Sequence, residues 1–197
     1  MLNLYRPKAA ERMIRRRYGR IEEIALRYSL PAPFIQALLY TELTRIDIFD
    51  PLADLLVWIN LNRGASNGKG PLHKLDSSTG FGQIFGFVAI NAANFAVERD
   101  LTTYASLGLP ERRLDPTSSE DLLLVWNRLR RDPDFNIELS ALNLISAAEE
   151  VTGRIDFSSY SPEEIQRIYT RYNGTVPHIT PYGEEAYRHY LRYAASG

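Results

Sequence analysis

The chain has 197 residues, 45% hydrophobic and 11% aromatic, with 23 basic and 24 acidic side chains and no cysteine. That length suffices for one domain with a real core, and the missing thiols exclude disulfide frameworks, thiol catalysis and cysteine-held zinc. No apolar run approaches the roughly 18–20 residues that span a bilayer, so no membrane insertion is expected, and the near-neutral total gives no global reason to expect nucleic acid.

Charge is unevenly placed along the chain. Residues 1–20 carry Arg6, Lys8, Arg12, Arg15, Arg16, Arg17 and Arg20 against Glu11 alone, which leaves the remainder net acidic. The apolar stretch that would make this start a signal peptide does not follow. Instead Ile14, Tyr18, Ile21, Ala25 and Tyr28 recur at helical spacing, predicting an N-terminal amphipathic helix over 1–30 packed on the rest of a single domain. Its basic face is either a solvated surface or a docking surface for an anionic polymer.

Pro31 and Pro33 end that helix near Ser29 and open a second through about Arg45. Asp50-Pro51 reads as a cap followed by a first-turn proline, with Leu52, Leu55, Leu56 and Ile59 along one side of the next helix. From 62 to 82 the pattern gives way to Gly, Ser, Asn and Asp, predicting a long irregular loop or small hairpin. Helical spacing returns over Gly86–Arg99, and Thr117 with Glu120 forms a capping box before Leu122–Arg130. Asp132-Pro133 opens a helix to about Val151, Ser161-Pro162-Glu163-Glu164 another, and Thr180-Pro181 the last, to about Tyr193. The fold class is mainly α.

Glu42 conflicts with its surroundings. Ile35, Leu38 and Leu39 mark the apolar face of the second helix, and Glu42 falls on that face by its spacing. It is either an edge glutamate reaching solvent or Arg45, or a desolvated acid whose raised pKa keeps the proton needed for general-acid catalysis. Ser78-Thr79-Gly80-Phe81-Gly82-Gln83-Ile84 is either an ordinary tight turn or a close-approach segment, with Gly80 and Gly82 admitting a ligand and Gln83 and Ser78 bonding it. Tyr169, Tyr172 and Asn173, followed by Gly174, are either a helix end capped by Asn-Gly or an aromatic-amide wall suited to sugar faces.

In order along the chain, these pieces resemble the soluble lytic transglycosylase and goose-type lysozyme superfamily. The stretches carrying the likeness are Ile35–Leu43, Ser78–Ile84, Asn136-Ile137-Glu138-Leu139-Ser140-Ala141 and Arg171-Tyr172-Asn173-Gly174, with Tyr182-Gly183 and Tyr187 near the end. The resemblance implies a lysozyme-like helical catalytic domain over 31–197 that cleaves the β-1,4 bond between MurNAc and GlcNAc in peptidoglycan glycan strands. It assigns Glu42 as general acid/base, Gly80, Gly82 and Gln83 to the cleft segment, and Tyr172 and Asn173 to the cleft wall; Tyr169 matches more loosely. Leu43 stands where the family usually has serine, Gly82-Gln83 shortens the usual Gly-Leu-Met-Gln, and the 47–76 stretch is longer than in compact members.

A hydrolase of this kind uses a second carboxylate, for which Asp76 is the candidate, then Asp47 and Asp50; Asp76 also suits a turn before Ser77. A transglycosylase instead lets one glutamate act twice and leaves an anhydro sugar end. Two other readings are a catalytically silent glycan-binding relative and a basic helical nucleic-acid-binding module built on Arg15-Arg16-Arg17. His73, His178 and His189 lie on separate segments without paired spacing, and no phosphate-cradling glycine loop occurs, so neither metal nor cofactor is expected. The expected substrate belongs to the cell wall or periplasm, yet no export pattern is visible to say how the chain would reach it.

Overall fold

The computed structural model describes residues 4–47, 50–63 and 75–196, leaving aside the side chains of residues 50 and 51. Among them the chain forms α1 (Pro7–Arg16), α2 (Tyr18–Arg27), α3 (Ala32–Arg45), α4 (Asp50–Asn62), α5 (Gly86–Glu98), α6 (Ser119–Arg131), α7 (Pro133–Thr152), α8 (Pro162–Asn173) and α9 (Pro181–Ala194). The mainly helical class follows from the sequence pattern. Of the loop expected over 62–82, residues 64–74 lie outside the described residues, His73 with them, and the hairpin reduces to one antiparallel bridge between Thr79 and Ile84.

α3 is the organising element. Phe34 through Leu43 are all buried, because α1, α2, α7 and α9 pack around the helix. A helix enclosed on all sides has no solvent stripe, so Glu42 is drawn inside with its neighbours. The long helix α7, against α5 and α8, and the shorter α8, against α9, complete the frame. Their starts are fixed by side chains: Asp132 accepts from the Asp134 and Phe135 amides, Ser161 and Glu164 form a reciprocal capping box, and Thr180 accepts from Gly183.

The N-terminal helix departs from expectation. It breaks at Arg17, which leaves helical geometry at φ −107° and ψ 9°, two residues before Gly19, the weakest helix former of the stretch. Ile14, Ile21, Ala25 and Tyr28 are buried as the spacing predicts, whereas Tyr18, at the break, is exposed. Part of the basic charge is neutralised internally, through Arg17 with Asp134 at 2.8 Å and Arg20 with Glu138 at 2.5 Å. Arg6, Lys8, Arg12, Arg15 and Arg16 are exposed.

Two further elements differ in detail. α4 buries Val57 and Leu61 rather than Leu52 and Leu55, which are exposed, because it meets α6 through the other side. The cap of α6 is Ser118, whose hydroxyl accepts from the Asp121 amide. Thr117 stands one residue earlier, in a turn where Asp115 accepts from both its amide and its hydroxyl.

Candidate active site

Glu42 lies one turn before the end of α3, with 8% of its surface accessible. The Tyr182 hydroxyl, in the first turn of α9, donates to Glu42 Oε1. Burial pushes the carboxyl up to about 7; the Tyr182 hydrogen bond and the Arg45 charge pull it down, and Glu185 pushes it up. Arg45 does not pair with Glu42: its Nε and Nη2 donate to Glu185 Oε2 at 3.2 and 2.5 Å. Glu42 is thus buried with Tyr182 as its hydrogen-bond partner, rather than paired with Arg45 or freely exposed at the edge of the helix.

Glu42 forms part of the wall of a cavity of about 240 Å³. Its polar lining also includes Ser78, Gln83, Asn143, Tyr172 and Asn173, with Arg45 and Tyr182 beside the acid. Ile46, Ile84, Phe85 and Val88 supply the apolar part. Segments distant in sequence thus converge on one carboxylic acid.

The turn from Thr79 to Ile84 is built against α7. Asn136 accepts from the Gly82 amide at 2.7 Å and donates to the Thr79 carbonyl at 2.9 Å. Tyr172 closes the other side, its hydroxyl donating to the Gly82 carbonyl at 2.7 Å. Gly80 has φ +74°, and a Cβ there would fall 2.2 Å from Asn136 Nδ2. A Cβ on Gly82 would fall 2.0 Å from Ser140 Oγ. Both glycines therefore permit close approach of the turn to α7, not of a ligand to the turn, and neither lines the cavity. Gln83 does line it, with its Nε2 returned to the Gly80 carbonyl at 2.8 Å.

Other candidates are placed elsewhere. Asp76 holds the start of α5, accepting from the Gly86 and Phe87 amides at 2.8 Å each, and does not line the cavity. Its carboxyl is nevertheless pushed up, because burial outweighs those amides. Asp47 is not among the lining residues, and the Asp50 side chain lies outside the described residues. Tyr169 is core: it is fully buried, stacks on Phe34 at 5.6 Å and donates to the Phe34 carbonyl at 3.1 Å. Gly174 has φ 168° and is extended, so α8 does not end on a left-handed glycine. His189, on α9, packs edge-on against Tyr40, whereas His178 is exposed in the segment before that helix.

Among the polar lining residues, Asn143, Tyr182 as an acid partner and Arg45 as a cavity residue were not singled out for the site from the sequence, and neither were the apolar Ile46, Phe85 and Val88. Asn143 had no local signal. Tyr182 belongs to a stretch that carries the resemblance, but nothing local marks it as the partner of Glu42. Comparison with family models, curated proteins and solved structures gives no match to this chain.

Proposed function

We propose that the chain cleaves the β-1,4 bond between MurNAc and GlcNAc in peptidoglycan, with Glu42 as general acid/base. The observation that carries this reading is a buried carboxylic acid, held near 7 by desolvation and hydrogen-bonded by Tyr182, on the wall of a cavity rich in hydroxyl and amide groups. An acid titrating there is still largely protonated at mildly acidic pH, as leaving-group protonation requires. Support also comes from the resemblance, since residues of its Glu42, Ser78–Ile84 and Tyr172-Asn173 stretches line this one cavity.

In the proposed mechanism Tyr182 occupies Oε1, leaving Oε2 to deliver the proton to the glycosidic oxygen. As the bond to the leaving sugar breaks, Glu42 becomes a carboxylate and can then act as base. Among the described residues lining the cavity, Glu42 is the sole carboxylate. That favours the route in which it deprotonates the muramic acid 6-hydroxyl, which closes an anhydro ring, over water activation by a second acid. Gln83, Asn143 and Asn173 supply donors and acceptors for sugar hydroxyl and acetamido groups.

Purified peptidoglycan incubated with the chain tests this directly, with released fragments weighed by mass spectrometry. Anhydro ends are expected, and reducing ends would replace the transglycosylase route by hydrolysis. Glu42→Gln should bind glycan yet cleave at least about 10²-fold more slowly, the usual size of a general-acid contribution. Binding by the unaltered chain without any cleavage product would identify a silent glycan binder instead.

A further inference from the structure

We infer that Arg45 reads a carboxylate carried by the glycan's substituents, making the cleft selective for acidic over neutral amino-sugar chains. The inference rests on the glycan-cleft reading and adds a specificity-determining residue to it. Arg45 is the sole basic side chain among the described residues that line the cavity. It follows Glu42 by three positions on α3, so both project toward one side of the helix. Its guanidinium carbon lies 4.9 Å from the centre of the Tyr182 ring, the ring whose hydroxyl bonds Glu42. The cation is thereby placed beside the reacting acid and oriented by an aromatic face.

The remaining polar lining suits neutral sugar groups. Ser78, Gln83, Asn143 and Asn173 offer hydroxyls and amides, and none carries a charge to balance a carboxylate entering the cavity. Arg45 supplies that balance. Its Nε and Nη2 both reach a single oxygen of Glu185, which engages one edge of the planar fork. The Nη1–Nη2 edge has its own two-donor geometry for a second carboxylate. The Arg45 side chain is 40% exposed and that of Glu185 31%, so water screens the pair and an arriving anion competes with a weakly held partner. Glu185 is then a restraint on the preference, lowering the positive field a substrate carboxylate meets.

Affinities measured in the Glu42→Gln chain, where turnover is suppressed, test the inference against three oligosaccharides of equal length. One is a neutral chitooligosaccharide, one a GlcNAc–MurNAc chain stripped of peptide with free lactyl carboxylates, and one the same chain carrying peptide stems. Both acidic chains should bind more tightly than the neutral one. Adding Arg45→Gln should reduce the acidic-to-neutral affinity ratio about tenfold, the size of one charge-assisted hydrogen bond, and Arg45→Lys should restore part of it. Glu185→Gln, which leaves the cation in place, should raise the ratio. The acidic chain that responds more strongly identifies a lactyl or a stem carboxylate as the group bound.

Equal affinity for acidic and neutral chains, a preference that survives Arg45→Gln, or a ratio that fails to rise with Glu185→Gln overturns the inference. An Arg45-dependent preference in a chain that cleaves nothing with Glu42 intact overturns the glycosidase reading and leaves the binding role standing. Cleavage without any acid preference does the reverse, and absence of binding to all three chains overturns both.

Discussion

Burying Glu42 opposes folding whenever the group is ionised. Its carboxyl sits at about 7 in the folded chain against an ordinary 4.5, so between those values the folded state binds more protons than the unfolded one. Stability therefore falls as pH rises through that window, and the penalty is complete above about 7. Glu42→Gln removes the titration. Its melting temperature should match the parent's below about pH 4.5 and exceed it by several degrees above pH 7, reflecting at most about 3 kcal/mol. Parallel melting curves across that range would show that Glu42 is not held dry. Tyr182 gives a second test at this scale, because its hydroxyl favours the ionised carboxylate. Tyr182→Phe should move the alkaline limb of the kcat/KM profile to higher pH while lowering its maximum, since the acid loses both its anion partner and its orienting bond. A limb that stays in place or moves to lower pH would count against the assigned hydrogen bond. The sequence made Glu42 conspicuous because a charged residue occupied an apolar register. The role of Tyr182 was not legible in the same way: its stretch carries the resemblance, but its bond to Glu42, 140 residues earlier in the chain, exists only once the fold sets α9 against α3.

At the scale of elements, the cavity depends on how closely the Thr79–Ile84 turn approaches α7. Gly82 permits that approach, with Ser140 Oγ at 2.0 Å and Ser140 Cβ at 2.8 Å from where a Cβ would stand. Gly82→Ala alone should destabilise the fold by about 1–3 kcal/mol, as overpacking does, and weaken cleavage by displacing Gln83. Pairing it with Ser140→Gly removes both nearest obstructions, so the double variant should recover most of the loss in urea midpoint. Additive losses from the two changes would show that the turn does not press on α7 there. Helix starts were legible because each resides in a few adjacent residues, as at Ser161–Glu164. The α6 cap falls one position later than the Thr117–Glu120 spacing predicts: adjacent Thr117 and Ser118 both suit a cap, and Ser118 takes it while Thr117 belongs to the turn held by Asp115. The same limit explains Tyr169 and Tyr172. They lie three residues apart on α8, yet one is anchored to Phe34 and the other to Gly82, and only the packing of α8 against α3 and the turn separates core from cavity.

For the molecule as a whole, the charge asymmetry visible along the chain becomes in part an internal clamp. Glu138, on α7 and almost fully buried, accepts from Arg20 at 2.5 Å, Arg27 at 2.6 Å and the Tyr28 hydroxyl at 2.8 Å. The acid of one long helix thus collects the cations of another segment more than 100 positions earlier in the chain. Linear sequence exposed the excess charge at the N-terminus but not its partners, because pairing over that distance is decided only when α2 docks on α7. Removing the acid leaves two guanidinium groups close together and a tyrosine hydroxyl without its anion. Loss of a buried partner typically costs about 3–5 kcal/mol, but Arg27 is 37% exposed and water offsets part of the loss, so about 2 kcal/mol is expected for Glu138→Gln. Arg17→Gln should cost less than about 1 kcal/mol, since both it and Asp134 are more than a third exposed. Urea unfolding of the two variants measures the contrast. The Glu138 side chain is held by α2 and does not line the cavity. Glu138→Gln should therefore retain near-parental cleavage at temperatures where it remains folded, while its unfolding midpoint drops. Lost cleavage at an unchanged midpoint would mean that Glu138 acts on the site and that α2 is part of the catalytic apparatus.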